Sequence, residues 1–255
     1  MKRLNIGKRL LVLSAFLLTI NTGLFAAVAS NEILLNAKVI KAVSQDLAKN
    51  YFYIEQGIQT SSAKEELKRD IIALDDAIQK LQLRVKNDDS KKIVEFMFFS
   101  VDELKSIVKN AFNAENGGLV LDYTETLYEG SSVISKRSQT KGSSMLNTVT
   151  EMSFLLQRAS KYYIAFRAGY TDDINIIQAQ KAVARFEQLL GKVQSKTYPG
   201  AITNGPIKKL SKYWPVSKSF YLGIKKGELP TIVFISTKHM KKALYELTKY
   251  YKKKN

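Results

Sequence analysis

Cysteine is absent from the 255 residues, so disulfides, thiol catalysis and cysteine-ligated metals are excluded. Histidine occurs once, as His239 among Lys238, Lys241 and Lys242, with no second ligand four residues away to make a metal pair. No nucleophile elbow, phosphate loop or zinc motif is present. The sequence therefore offers no enzymatic chemistry, no cofactor site and no metal site. After the first thirty residues no apolar run approaches the roughly twenty residues of a membrane span. Strict polar/apolar alternation hardly appears either, which argues against strands. Stability has to come from helix packing.

The N-terminus reads as an address. Met1 to Arg9 is basic, Leu10 to Gly23 is apolar, and Ala27-Val-Ala29 before Ser30 is a small-residue cleavage pattern. Residues 1–29 are expected to be a signal peptide that places the body in the periplasm. The alternative is an uncleaved anchor over Leu10 to Val28, which leaves the protein on the inner membrane with a periplasmic domain.

The mature chain contains an internal echo. Gln45-Asp-Leu-Ala-Lys-Asn-Tyr-Phe-Tyr-Ile54 returns at a shift of 112 as Gln157-Arg-Ala-Ser-Lys-Tyr-Tyr-Ile-Ala-Phe166, and Leu119 to Leu127 returns at a shift of 113 as Ile232 to Met240. A repeat of that length is expected to be one supersecondary unit used twice. Eight apolar stripes with steps of three and four run through the chain, four per copy. They predict an all-α fold of two tandem up-and-down four-helix units, 31–141 and 144–255, joined at Gly142-Ser-Ser144.

Punctuation divides the stripes. Ser62-x-x-Glu65 reads as a capping box before the second helix, and Asn87-Asp-Asp-Ser90 and Asn116-Gly-Gly118 read as the next two breaks. In the second copy Tyr170 to Asp173, Tyr198-Pro-Gly200 with Asn204-Gly-Pro206, and Gly227 to Pro230 take those parts. A second capping box at Ser100 to Glu103, and Pro215 in the matching position, predict a kink or short break in each third helix. The repeat offset falls to about 109 where Leu67, Leu74 and Leu81 stand over Ile176, Val183 and Leu190. The first loop is thus expected to be shorter in the second copy, and the following loop longer.

The run Leu156-Gln-Arg-Ala-Ser-Lys-Tyr-Tyr163, with its counterpart Val43-Ser-Gln45, Ala48-Lys49 and Tyr51, resembles the periplasmic sensing domain of PilJ-type pilus chemotaxis transducers and NarX-type nitrate sensors. Leu121 to Gly130 is similar to the same family. The resemblance implies a four-helix unit whose first helix carries a small-ligand site, an arginine gripping an anion, and a role in signal transduction. The chain departs from the family there, because its Gly-x-x-Arg half aligns with Lys38-Val-Ile-Lys41 in one copy and Thr150-Glu-Met-Ser153 in the other. Lys41 keeps a point charge without arginine's fork, and Ser153 keeps none, so nitrate is not the expected ligand.

Lys41, Gln45 and Lys49 stand four apart on one helix face, and Gln157, Arg158 and Lys161 repeat that face. These six are the candidate site for a small molecule or anion, the alternative being a solvated stripe opposite the core. Glu125 and Glu129 have i,i+4 spacing, but Asp122 and Glu125 look like the usual polar face of a helix.

Charge is uneven. Without Lys2, Arg3, Lys8 and Arg9 there remain 36 basic and 23 acidic residues, a net of +13, and residues 195–255 alone hold fourteen Lys and two Glu. Lys241, Lys242, Lys249, Lys252, Lys253 and Lys254 are the candidate surface for anionic lipid or envelope polymer. Export argues against nucleic acid. A membrane receptor or kinase is the expected partner of a sensor-type domain, and a homodimer stays open.

Overall fold

The computed structural model describes the backbone of residues 6–138, 144–196, 201–226 and 228–254, and the side chains among these from Ser30 onward, Ser144 excepted. The apolar run and cleavage pattern of residues 1–29, the joint at Gly142 and the Tyr198-Pro-Gly200 turn lie outside the described residues or side chains. Eight α-helices follow one another: α1 Ile6–Glu55, α2 Thr60–Arg84, α3 Asp88–Ile107, α4 Ala114–Arg137, α5 Ser144–Arg167, α6 Asp173–Gln194, α7 Asn204–Leu222 and α8 Pro230–Lys253. A single 3₁₀ turn, Ile224–Lys226, lies between the last two. Among the described residues there is no strand, and no helix is long and apolar enough to cross a membrane. The fold is all-α.

The stripes become the buried faces. In α2, Leu74, Ala77, Ile78 and Leu81 are buried; in α8, Val233, Met240, Ala243, Leu244 and Leu247 are. Each fully buried leucine stabilises by roughly 1.5–3 kcal/mol, so it is the three-and-four spacing that fixes which side of each helix turns inward.

Helix ends are set by polar side chains. Asn87 caps α3 by accepting from the Ser90 amide at 3.1 Å, and Asn113 caps α4 by accepting from the Asn116 amide at 2.7 Å. Two expected boundaries move. α2 already begins at Thr60, so Ser62-x-x-Glu65 lies inside it, and Asn116-Gly-Gly118 falls within the first turns of α4.

Of the kink or short break expected in each third helix, the break is absent. α3 runs through Ser100, whose hydroxyl donates to the Phe96 carbonyl at 2.9 Å instead of capping, and α7 runs through Pro215. The shift of register near the second helix sits in the helix, not the loop: α2 has 25 residues and α6 has 22. The connection before α6 is one residue longer than that before α2, while the connection after α6 is longer as expected.

Each of α1–α4 touches the next and α4 returns to α1; α5–α8 repeat this ring. Two apolar clusters result. One is built on Ile40, Leu47, Phe52, Leu74, Leu104 and Val120, the other on Met152, Leu156, Tyr163, Phe186, Leu210 and Leu247. They interlock: Ile164 and Phe234 join the first cluster, and Ala42 and Tyr128 pack on the second.

The hinge of the architecture is the contact between α1 and α5. These helices run side by side in the same direction, since Lys38 meets Asn147 and Gln45 meets Arg158. α4 covers one flank of this seam and α8 the other.

Candidate functional site

Five of the six candidate ligand residues are buried in the α1/α5 seam: Gln45, Lys49, Gln157, Arg158 and Lys161. They are therefore not a solvated stripe. Long polar side chains can be buried only when their donors and acceptors are met, and here the seam supplies most partners. Gln45 donates to the Thr124 carbonyl at 3.1 Å and accepts from Arg158 Nη1 at 3.3 Å. Lys49 donates to Asp46 at 2.5 Å and to Gln157 Oε1 at 3.1 Å. The Gln157 amide nitrogen has no hydrogen-bond partner among the described residues.

Two charged clusters flank the seam. On the α8 flank, Lys241 binds Asp46 and, at 3.0 Å, Glu66, while Lys49 stands 3.7 Å from Glu66. Asn50 donates to Asp70 at 2.8 Å beside them. Burial alone would raise the Asp46 carboxyl; Lys49 and Lys241 override it and hold it below the ordinary range. Asp70 is met by a neutral amide instead, and burial together with the Asp46 charge pushes it well above that range.

On the α4 flank, Glu125 takes Arg158 at 2.8 and 2.6 Å and also binds Lys161. Burial would raise Glu125, but Lys161 and Arg158 hold it at about 2. Burial, with Arg158 alongside, draws Lys161 down to about 8 in spite of Glu125. Arg158 also lies 4.3 Å over the Tyr128 ring, and Lys41 lies 4.3 Å over Phe154; these two rings stack at 5.1 Å.

Lys41 is the half-buried member of the set. With Lys38, Ser135, Asn147, Glu151 and Phe154 it lines a cavity of about 130 Å³ between α1, α4 and α5. Burial lowers its ammonium pKa, and Glu151 opposes the change. Among the described residues Lys38, Lys41, Arg158 and Lys161 face Glu125 and Glu151 here, and Glu151 is itself paired with Arg185 at 2.9 Å, so this flank carries surplus positive charge in a partly dehydrated setting.

The lysine-rich surface divides. Lys242, Lys249, Lys252, Lys253 and Lys254 are exposed, as a surface for anions requires. Lys241 is instead committed to Asp46 and Glu66. His239 is exposed and stacks on Tyr213 at 4.7 Å. Among the described residues no group of three or more His, Asp or Glu could hold a metal ion.

Sequence reasoning missed the acids. Glu125 is half-buried and pairs with α5. The available signal was Arg158 and Lys161 three apart on a buried face, two like charges that demand an acid nearby. No known protein family, curated protein or solved structure matches this chain.

Proposed function

We propose that this chain is an exported, non-enzymatic sensor-type protein: two tandem four-helix units behind a signal peptide over residues 1–29. A small anion binds beside the first helices, and the event passes to a membrane receptor or kinase. The observation that carries this reading is the excess of cations in and around the Lys41 cavity, where Lys38, Lys41, Arg158 and Lys161 are opposed by two carboxylates. A cavity of about 130 Å³ suits a compact anion. An anion there would touch α1, α4 and α5 together, so its binding would bias how the two halves pack, which is what a relay needs.

A thermal-shift screen of small inorganic anions, carboxylates and amino acids tests it. A ligand should raise the melting temperature, and Lys41→Ala should abolish the gain. A broad panel without any shift sinks the reading.

The exposed Lys242, Lys249, Lys252, Lys253 and Lys254 favour a second one, adhesion to anionic lipid or envelope polymer. Co-sedimentation with anionic vesicles should then weaken steeply with salt and after charge reversal at Lys252, Lys253 and Lys254.

A further inference from the structure

The two flanks of the α1/α5 seam are related by the repeat, yet one is filled and the other hollow. On the α4 flank the stacked rings of Phe154 and Tyr128 occupy the groove and leave about 130 Å³. Their repeat counterparts on the α8 flank are Ala42, which corresponds to Phe154, and Lys241, which corresponds to Tyr128. Neither restores the lost aromatic volume, and Lys241 turns instead to Asp46 and Glu66. A groove of about 630 Å³ remains between α1, α5 and α8, walled by Leu34, Leu35, Val39, Val43 and Leu146. That volume lies within the roughly 300–1,000 Å³ usual for small-molecule sites.

Length and charge narrow the occupant. The α1 wall extends from Asn31 to Val43, about 18 Å at 1.5 Å per residue. An extended alkyl chain of roughly fourteen carbons has that length, given C–C bonds of about 1.5 Å at tetrahedral angles. The cations lining the groove are Lys38, Lys241 and Lys252. Lys241 is already neutralised, Lys38 donates to the neutral amide of Asn147 at 2.6 Å, and Lys252 is exposed. Among the described residues no carboxylate lines the groove. An apolar trough with uncompensated ammonium groups selects an anion with an apolar tail.

The geometry points to the α1/α5/α8 groove as a binding site for a free long-chain fatty acid. The tail lies along Leu34, Val39 and Val43, and the carboxylate is met by Lys252 and Lys38. The site shares the reading of the chain as a binding protein; Lys38 and Thr150 line both it and the Lys41 cavity, while its apolar walls and Lys252 belong to the groove.

Titration of the full chain with tetradecanoate below its micellar concentration, followed by equilibrium dialysis, tests the site. Saturable binding of one molecule per chain is expected, with dodecyltrimethylammonium, a cationic chain, at least tenfold weaker. Ala42→Phe, which copies the filled flank, should weaken tetradecanoate at least tenfold with its helical circular dichroism intact, and Lys252→Glu should weaken it several-fold. If Ala42→Phe fails to fold, Ser153→Leu on the opposite wall serves the same purpose. Absence of saturable binding overturns the proposal, as does equal affinity for the cationic chain or unchanged affinity in a folded filled variant. A shift of ligand-free protein from dimer to monomer on Ala42→Phe would assign the groove to a second copy and also overturn it. Small-anion thermal shifts that depend on Lys41 should survive Ala42→Phe, so failure here is separable from failure at the other cavity.

Discussion

Arg158 of α5 and Glu125 of α4 form a two-pronged ion pair, Nη1 to Oε1 at 2.8 Å and Nη2 to Oε2 at 2.6 Å. Arg158 takes in the second copy the place that Asp46 holds in the first, so the repeated position has opposite charge in the two copies. The partners have changed to match. Arg158 lies over Tyr128, and Asp46 binds Lys241, the repeat counterpart of Tyr128. One geometry is thus held by a cation over a ring on one flank and by an ion pair on the other. Either arrangement satisfies a buried charge from a neighbouring helix, α4 for Arg158 and α8 for Asp46.

Replacing Glu125 with Gln should leave Arg158 and Lys161 buried without a counter-charge. Removing one member of a buried ion pair costs about 3–5 kcal/mol, and Glu125 is 28% exposed, so about 3 kcal/mol is expected. Thermal denaturation should show a drop of roughly 6–12 °C, at 2–4 °C per kcal/mol for a chain of this size. A drop under about 2 °C would mean that the cluster is not held in this form.

Lys241→Ala and Lys253→Ala should behave differently although both residues sit on the lysine-rich helix. Lys241 bridges Asp46 and Glu66 with its side chain 35% exposed, so water screens part of the loss and about 1–2 kcal/mol is expected. Lys253 is exposed, and its removal should change stability by less than about 0.5 kcal/mol. Parallel urea titrations would separate the two; equal midpoints would refute the internal role of Lys241.

Much of this was legible beforehand, for physical reasons that differ by level. All eight helices were readable because burial repeats every three or four residues, as in Leu74, Ile78 and Leu81. Their ends were not, because local capping signals compete: Ser62-x-x-Glu65 has the right residues yet lies inside α2. Gly117 and Gly118 looked like a loop, but Gly117 lies in α4 where the Tyr170 ring packs on it. The seam residues were found through the repeat, since Gln45 and Lys49 recur as Gln157 and Lys161. Arg158 and Lys161 together call for an acid, but which one was not readable, because Glu66, Glu125 and the bridging Lys241 come from other helices, and spacing along a chain carries no record of such pairs.

Acid and neutral pH should have opposite effects through different carboxylates. Asp46, Glu66 and Glu125 have folded pKa values below their ordinary ones, so their stabilisation is present at neutral pH and is lost as pH falls through about 4 and lower. Asp70 runs the other way: burial and Asp46 raise it, so the unfolded chain ionises first and stability declines as pH rises above 3.8. Asp70→Asn removes that penalty while keeping an acceptor for Asn50. The variant should melt higher than the parent at pH 7 and at the same temperature at pH 3. A lower melting point at pH 7 would show that Asp70 is charged in the fold.

Two glycines should respond to alanine with opposite signs. Gly130 lies in α4, where a Cβ would come within 2.6 Å of Met97 Sδ, 2.7 Å of its Cγ and 3.3 Å of Ile93 Cγ2. Met97 is buried, so the clash cannot be relieved by swinging into solvent, and overpacking of this kind costs about 1–3 kcal/mol. Gly191 lies in α6 with open space around its Cα, and there alanine removes backbone freedom from the unfolded chain. Gly191→Ala should gain about 0.5–1 kcal/mol. Chemical denaturation of both variants would measure the contrast. If Gly130→Ala were neutral, α3 and α4 would have to pack further apart than the Met97 contact requires.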